Sequence, residues 1–264
     1  MDARSALFLA LLSGLIVSAW GALWLWSQSP YGRYLDHGRW SDVGFVASWC
    51  SALPAGEIVV PALLYAGGWV LMIAAMMLPT TLPLLTIFRR VVAGQPDASR
   101  LLALVIAGYG LAWLAFGLGA HAIDWALLDT AQAVPWFVAH GWSVGAAVVA
   151  AAGLFQFSAL KYRCLDKCRM PFGFVAERWR GSAPGRDAFA IGFGHGVFCV
   201  GCCWALMLLM FVVGTGNLGW MLGLAAVMAA EKNLPWGHRL SAPLGAALLA
   251  WSAAIVLSNL GFAA

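Results

Sequence analysis

The sequence predicts an all-α fold, a polytopic bundle of about seven membrane-crossing helices. Three observations carry that expectation. The 264-residue chain is 62% hydrophobic and only 10% charged, where a soluble domain carries roughly 25% charged residues. Apolar runs long enough to cross a bilayer recur along it, joined by short polar links. The basic residues gather in alternate links, which is the pattern that orients helices in a membrane. The 15 Trp suit the same class, because indole rings favour the membrane–water interface. The net charge of +4 is small. It reads as an orientation signal and gives no support for nucleic-acid binding.

The expected spans are 5–26, 60–86, 101–122, 141–160, 188–212, 217–232 and 241–260. The first follows Arg4 and runs to Trp26. It is long for a signal peptide and reads as a retained span, with a cleaved signal as the alternative. Arg89, Arg90 and Arg100 flank the link between spans two and three, and Lys161, Arg163, Lys167, Arg169, Arg178, Arg180 and Arg186 crowd the link between four and five. The link 123–140 holds Asp124 and Asp129 and no Lys or Arg. Positive links on the cytoplasmic side place the N-terminus inside and the C-terminus outside. Residues 1–59 then form a first span and an external loop, in which Tyr31, Tyr34, His37, Trp40, Trp49 and Cys50 suggest a small structured cap. Residues 60–264 form a six-span core.

Span two carries Met72, Met76, Met77, Pro79, Thr80 and Pro83. Each proline removes a backbone donor, so a kink is expected there. Met76 and Met77 offer thioethers beside it, although ordinary packing explains methionine in an apolar helix equally well. Span three is rich in Gly and Ala, which allows close helix approach. Span six is short and ends in Glu231 and Lys232, where a snorkelling ion pair at the interface is the plain reading.

The densest chemistry lies in span five. At about 100° per residue, His195, Cys199, Cys202, Cys203 and Met210 fall on one side of that helix. Thiols, an imidazole and a thioether on one buried face make a soft-metal ligand set. Each residue alone reads as core packing; the cluster reads as a metal site. Upstream, Cys164 and Cys168 are four apart, so a continuing helix presents both on one face. That spacing is neither the C-x-x-C of thioredoxin-like sites nor a zinc ribbon. The surrounding Lys161, Arg163, Lys167 and Arg169 favour thiolates. The six cysteines lie in or beside membrane segments, apart from Cys50, and do not form the pattern of a disulfide framework.

Four segments together carry a resemblance: AAMMLPTTLPLL at 74–85, KYRCLDKCRMP at 161–171, GFGHGVFCVGCCWALMLLMFVVGTGNLGWM at 192–221 and AAEKNLPWG at 229–237. The chain resembles a bacterial family of predicted metal-binding integral membrane proteins that includes a membrane copper chaperone encoded beside a tyrosinase. The resemblance spans residues 70 to 245. It implies that Cys164, Cys168, Cys199, Cys202 and Cys203 are the family's cysteine positions. Met76, Met77, His195 and Glu231 lie within its motif segments, with no ligand role attached. It also implies a multi-pass protein of the bacterial inner membrane.

These readings lead to a Cu(I)-binding membrane chaperone or transfer protein, with copper exchanged between Cys199, Cys202 and Cys203 and the pair Cys164 and Cys168. Thiolate and thioether ligands select Cu(I), and zinc fits less well because it wants four fixed ligands. No ATP-binding run accompanies the spans, which argues against an ATP-driven pump, and no catalytic residue is assigned. The expected partners are the lipid bilayer and a copper-dependent enzyme or soluble copper carrier, with self-association left open. A second class stays open as well. Cys164/Cys168 and Cys202/Cys203 suit a membrane thiol–disulfide oxidoreductase, and a packing scaffold with inert cysteines is the plainest alternative.

Overall fold

The computed structural model describes residues 3–29, 59–134, 136–137, 140–214 and 216–261. Among them the fold is all-α, without a strand. The helices are α1 (Ala3–Ser27), α2 (Val59–Met76), α3 (Leu82–Val91), α4 (Ala98–Ala133), α5 (Trp142–Phe155), α6 (Ala159–Arg169), α7 (Pro171–Arg178), α8 (Pro184–Val213), α9 (Leu218–Asn233) and α10 (Ser241–Asn259). Cys50 and the loop expected to cap the outer surface lie outside the described residues.

Among the described residues, four stretches are long and apolar enough to cross a membrane: Leu7–Ser27, Ala98–Asp124, Pro184–Val213 and Gly237–Asn259. Two bent pairs raise the figure to six. They are Leu63–Met76 with Pro79–Val91, bent by 47°, and Trp142–Phe155 with Ala159–Arg169, bent by 63°. The expected sixth span, 217–232, is the helix α9 of 16 residues. At 1.5 Å per residue it is about 24 Å long, short of the roughly 30 Å hydrocarbon core. In the other direction, α4 continues well past residue 122, where the sequence suggested a link.

Local chemistry accounts for both bends. Pro79 opens a short 3₁₀ turn, Pro79–Thr81, as the lost donor dictates. The Ala75 carbonyl, which the missing donor of Pro79 leaves over, accepts from Trp20 Nε1 at 3.2 Å, and the Thr80 and Thr81 hydroxyls add second bonds to Met77 O and Leu78 O at 2.7 and 2.8 Å. The expected kink in span two is therefore present. The second bend follows Ser158, whose extended backbone and side-chain acceptor cap α6 through Lys161 N at 3.1 Å. Span four thus ends before the cysteines, and Cys164 and Cys168 ride on a separate, more polar helix. Pro171 then opens α7 at its first turn.

Helix α8 is the hub, packed against α4, α5, α6, α7 and α9, while α10 lies on α5 and α1 on α2. Two glycine contacts set its approach to its neighbours. A Cβ at Gly192 would fall on the backbone carbonyl of Val105, so α4 and α8 touch main chain to main chain there. A Cβ at Gly201 would sit 2.6 Å from Cys164 Sγ, so only glycine admits α6 and its thiols to that side of α8. Gly214, at φ 92°, ends α8 in a conformation open to glycine. Asn217 caps α9 by accepting from Trp220 N at 3.2 Å.

Candidate metal centre

The face of α8 expected to hold soft ligands is turned into the core. His195 is 2% exposed, Cys199, Cys202 and Cys203 are 1% each, and Met210 is fully buried. All five described cysteines are free thiols. Cys168 on α6 brings its sulfur to 3.9 Å from Cys202 Sγ on α8. Cys202 and Cys203 each turn back on their own helix and donate to the Cys199 carbonyl, at 3.1 and 2.9 Å. Cys164 is one turn before Cys168 and packs on Gly201. Among the described residues, no three Cys, His, Asp or Glu side chains converge at metal-holding separation. The thiols therefore form one close pair with two further thiols next to it on α8.

What stands next to those two is a cation. Lys232 of α9 is buried, and its Nζ lies 2.8 Å from Cys199 Sγ, 3.7 Å from Cys203 Sγ and 3.5 Å from Thr80 Oγ1. The Tyr109 hydroxyl sits on the other side of Cys199, 3.0 Å from its sulfur and 3.3 Å from Met77 O. Met76 and Met77 are buried in the same apolar cluster as the thiols, along with Met72, Met207, Met210, Met221 and Met228. Met77 reaches the site through its carbonyl. His195, one turn before Cys199, lies against Phe174 and Tyr109, with ring centroids 5.6 and 6.2 Å away. Its Nδ1 is buried with no hydrogen-bond partner among the described residues.

Glu231 is not with the thiols. Its carboxylate pairs with Lys161 at 2.7 and 3.0 Å and accepts from Ser241 Oγ at 2.7 Å. Lys161 is completely buried and also donates to Gln156. Arg169 donates to the main-chain carbonyls of Glu231, Leu234 and Pro235. Two expectations are corrected here. Glu231 and Lys232 do not form a snorkelling pair with each other, because neighbours on a helix point about 100° apart. Nor do Lys161 and Arg169 serve the thiols: one neutralises a carboxylate and the other closes the end of α9. The sequence reading missed Lys232, Tyr109 and Thr80. The available signal was the Glu–Lys dipeptide itself, since two adjacent buried charges on one helix need two separate partners.

His121 is half-buried and stacks on Tyr65 with centroids 3.9 Å apart.

The PpoB2 copper chaperone family model matches residues 66–255, more than two thirds of the chain. The chain belongs to this copper chaperone family. No curated protein and no solved structure matches it. The matched region runs from within α2 to within α10 and takes in the helices that carry the thiols, Tyr109 and Lys232, while α1 lies outside it. Membership points to copper binding. Zinc–sulfur bonds are about 2.3 Å; at bonds of that length the Cys168–Cys202 separation of 3.9 Å lets both sulfurs reach one metal ion.

Proposed function

We propose that this protein is an inner-membrane chaperone that carries Cu(I) on thiolates within its helix bundle and passes it to a copper-dependent enzyme or a soluble carrier. The observation that supports the reading best is the buried Cys168–Cys202 pair, which joins two different helices at 3.9 Å. Soft thiolates favour Cu(I), and a two-sulfur site suits it far better than it suits zinc. Cys164 and Cys168, at 8% and 9% exposed, are the outermost thiols, and those of α8 are deeper at 1%. Copper enters or leaves by Cys164, rests between Cys168 and Cys202, and exchanges inward one ligand at a time with Cys199 and Cys203. His195 offers its open nitrogen beside Cys199, and Met76, Met77 and Met210 offer weaker thioether contacts. Glu231 acts as an anchor for Lys161 rather than as a ligand.

The membrane frame proposed with this reading keeps the basic α5–α8 connection on the cytoplasmic side, following the positive-inside rule. With α9 counted as a short crossing, the N-terminus lies inside and the C-terminus outside.

The test is metal loading of the full chain, purified anaerobically in detergent under reducing conditions. The wild type is expected to retain stoichiometric copper. The Cys168→Ser/Cys202→Ser variant is expected to lose it while keeping its fold, and Cys164→Ser is expected to bind but exchange slowly with an external chelator. A folded wild type that takes no Cu(I) sinks the proposal. The same Cys168–Cys202 proximity supports one other reading, thiol–disulfide exchange. That reading predicts a metal-independent shift of this pair between thiol and disulfide forms with growth redox state, measured by thiol alkylation and mass spectrometry.

A further inference from the structure

The buried ammonium of Lys232 has no carboxylate partner in this site. Glu231, its neighbour in sequence, is committed to Lys161 and Ser241. Lys232 instead contacts two sulfurs and a hydroxyl. A lysine in an apolar core is costly unless its charge is compensated, and what lies beside this one is the cysteine cluster that would hold the metal.

We infer that Lys232 is the specificity determinant of the copper site: it limits the site to two thiolate ligands and supplies the one positive charge that makes a monovalent ion, rather than a divalent one, neutral there. The inference rests on the function proposed above. Two features carry it. The first is positional. Lys232 Nζ lies at 2.8 Å from Cys199 and 3.7 Å from Cys203, and so occupies the two sulfurs that would have to join Cys168 and Cys202 to complete a four-sulfur site. Among the described residues, no three Cys, His, Asp or Glu side chains converge at metal-holding separation. Zn(II) asks for four ligands in a tetrahedron, and the lysine withholds half of them.

The second feature is charge. Cu(I) on the thiolates of Cys168 and Cys202 carries a net charge of minus one, which is unfavourable in an apolar core; with Cys199 and Cys203 as neutral thiols, the ammonium beside them brings the total to zero. A divalent ion on the same two thiolates is already neutral, and the ammonium leaves it with an uncompensated positive charge. Coordination number and charge thus point to the same ion. Tyr109, on the far side of Cys199, and Thr80, beside the ammonium, hold this arrangement with neutral hydrogen-bonding groups, so neither alters the charge balance.

The experiment loads the full chain in detergent, without oxygen, with Cu(I) alone, Zn(II) alone and the two together, and reads bound metal by plasma mass spectrometry. The wild type and Lys232→Arg, which keeps the charge, are expected to take copper and exclude zinc. Lys232→Met is expected to gain stoichiometric zinc, and its preference for Cu(I) over Zn(II) should fall by at least about tenfold. Because an unfolded chain with free thiols also takes zinc, zinc counts as gained only in variants that keep the wild-type melting transition in detergent. Lys232→Gln provides a second neutral variant with the same expectation. The inference is overturned if both neutral variants exclude zinc as the wild type does, or if the wild type binds zinc as readily as copper. A wild type that binds neither metal, with zinc gained in Lys232→Met, would overturn the copper reading and leave the gating role of Lys232 standing.

Discussion

Glu231 and Lys232 are consecutive residues at the end of one helix, both buried, and they face opposite worlds. Glu231 looks toward α6 and α10 and finds hard partners: an ammonium at 2.7 and 3.0 Å and a hydroxyl at 2.7 Å. Lys232 looks toward α8 and finds soft ones, the sulfurs of Cys199 and Cys203. The difference teaches how an apolar helix bundle separates scaffold from site. A carboxylate–ammonium pair closed by hydrogen bonds is expensive to open and exchanges with nothing. An ammonium resting on sulfur can give way to a soft cation, since sulfur is a weak hydrogen-bond acceptor but a strong ligand. One dipeptide therefore ties α9 to the α5–α6 bend on one side and polarises the thiols on the other.

Breaking the hard side should have the largest effect. Glu231→Gln leaves Lys161, completely buried, without its counter-charge. The expected cost is about 3–5 kcal/mol, seen as a clear drop in thermal melting temperature in detergent. Lys161→Met/Glu231→Gln together should recover part of it, and a double variant no better than the single would contradict the pairing. The next effect comes from the seam that presents the thiol face. Gly192→Ala pushes a methyl group into the Val105 carbonyl, where backbone meets backbone and no side chain can yield. A loss of about 1–3 kcal/mol follows, and weaker copper retention should accompany it as α8 shifts relative to Tyr109.

The soft side is more tolerant. Tyr109→Phe removes the hydroxyl that bridges Met77 O and Cys199 Sγ. It should cost about 0.5–1.5 kcal/mol without abolishing copper binding; complete loss of metal would make Tyr109 far more than a neutral support. The smallest effect is reserved for the basic link. Arg163 is exposed, so Arg163→Ala should change stability by less than about 0.5 kcal/mol and leave the metal content intact. A marked copper defect in that variant would return the thiolate-stabilising role to the link and weaken the contrast between the two faces of α9.

Much of the arrangement was legible before any coordinates. The face of α8 that holds His195, Cys199, Cys202, Cys203 and Met210 follows from a 100° period, and burial confirms it side chain by side chain. The kink at Pro79 follows from a missing donor. The Gly-rich character of the α4 and α8 seams follows from small residues in apolar helices. Other features depended on interactions distant in sequence. Span four looks continuous in hydropathy, yet Ser158 caps a new helix and turns Cys164 and Cys168 back toward α8. Lys161 looks like an interfacial positive charge, yet it is buried 70 positions away from the carboxylate it serves.

By itself, then, the sequence determined the class of the fold, the helices and the soft face of α8, because periodicity, hydropathy and proline chemistry act over a few neighbouring residues. The tertiary structure decided which cysteines meet, Cys168 with Cys202, and which cation stands among them. It also separated Glu231 from Lys232. Those outcomes depend on the angle at which α6 and α9 cross α8, an angle set by glycine contacts and by charges that must find partners once water is gone.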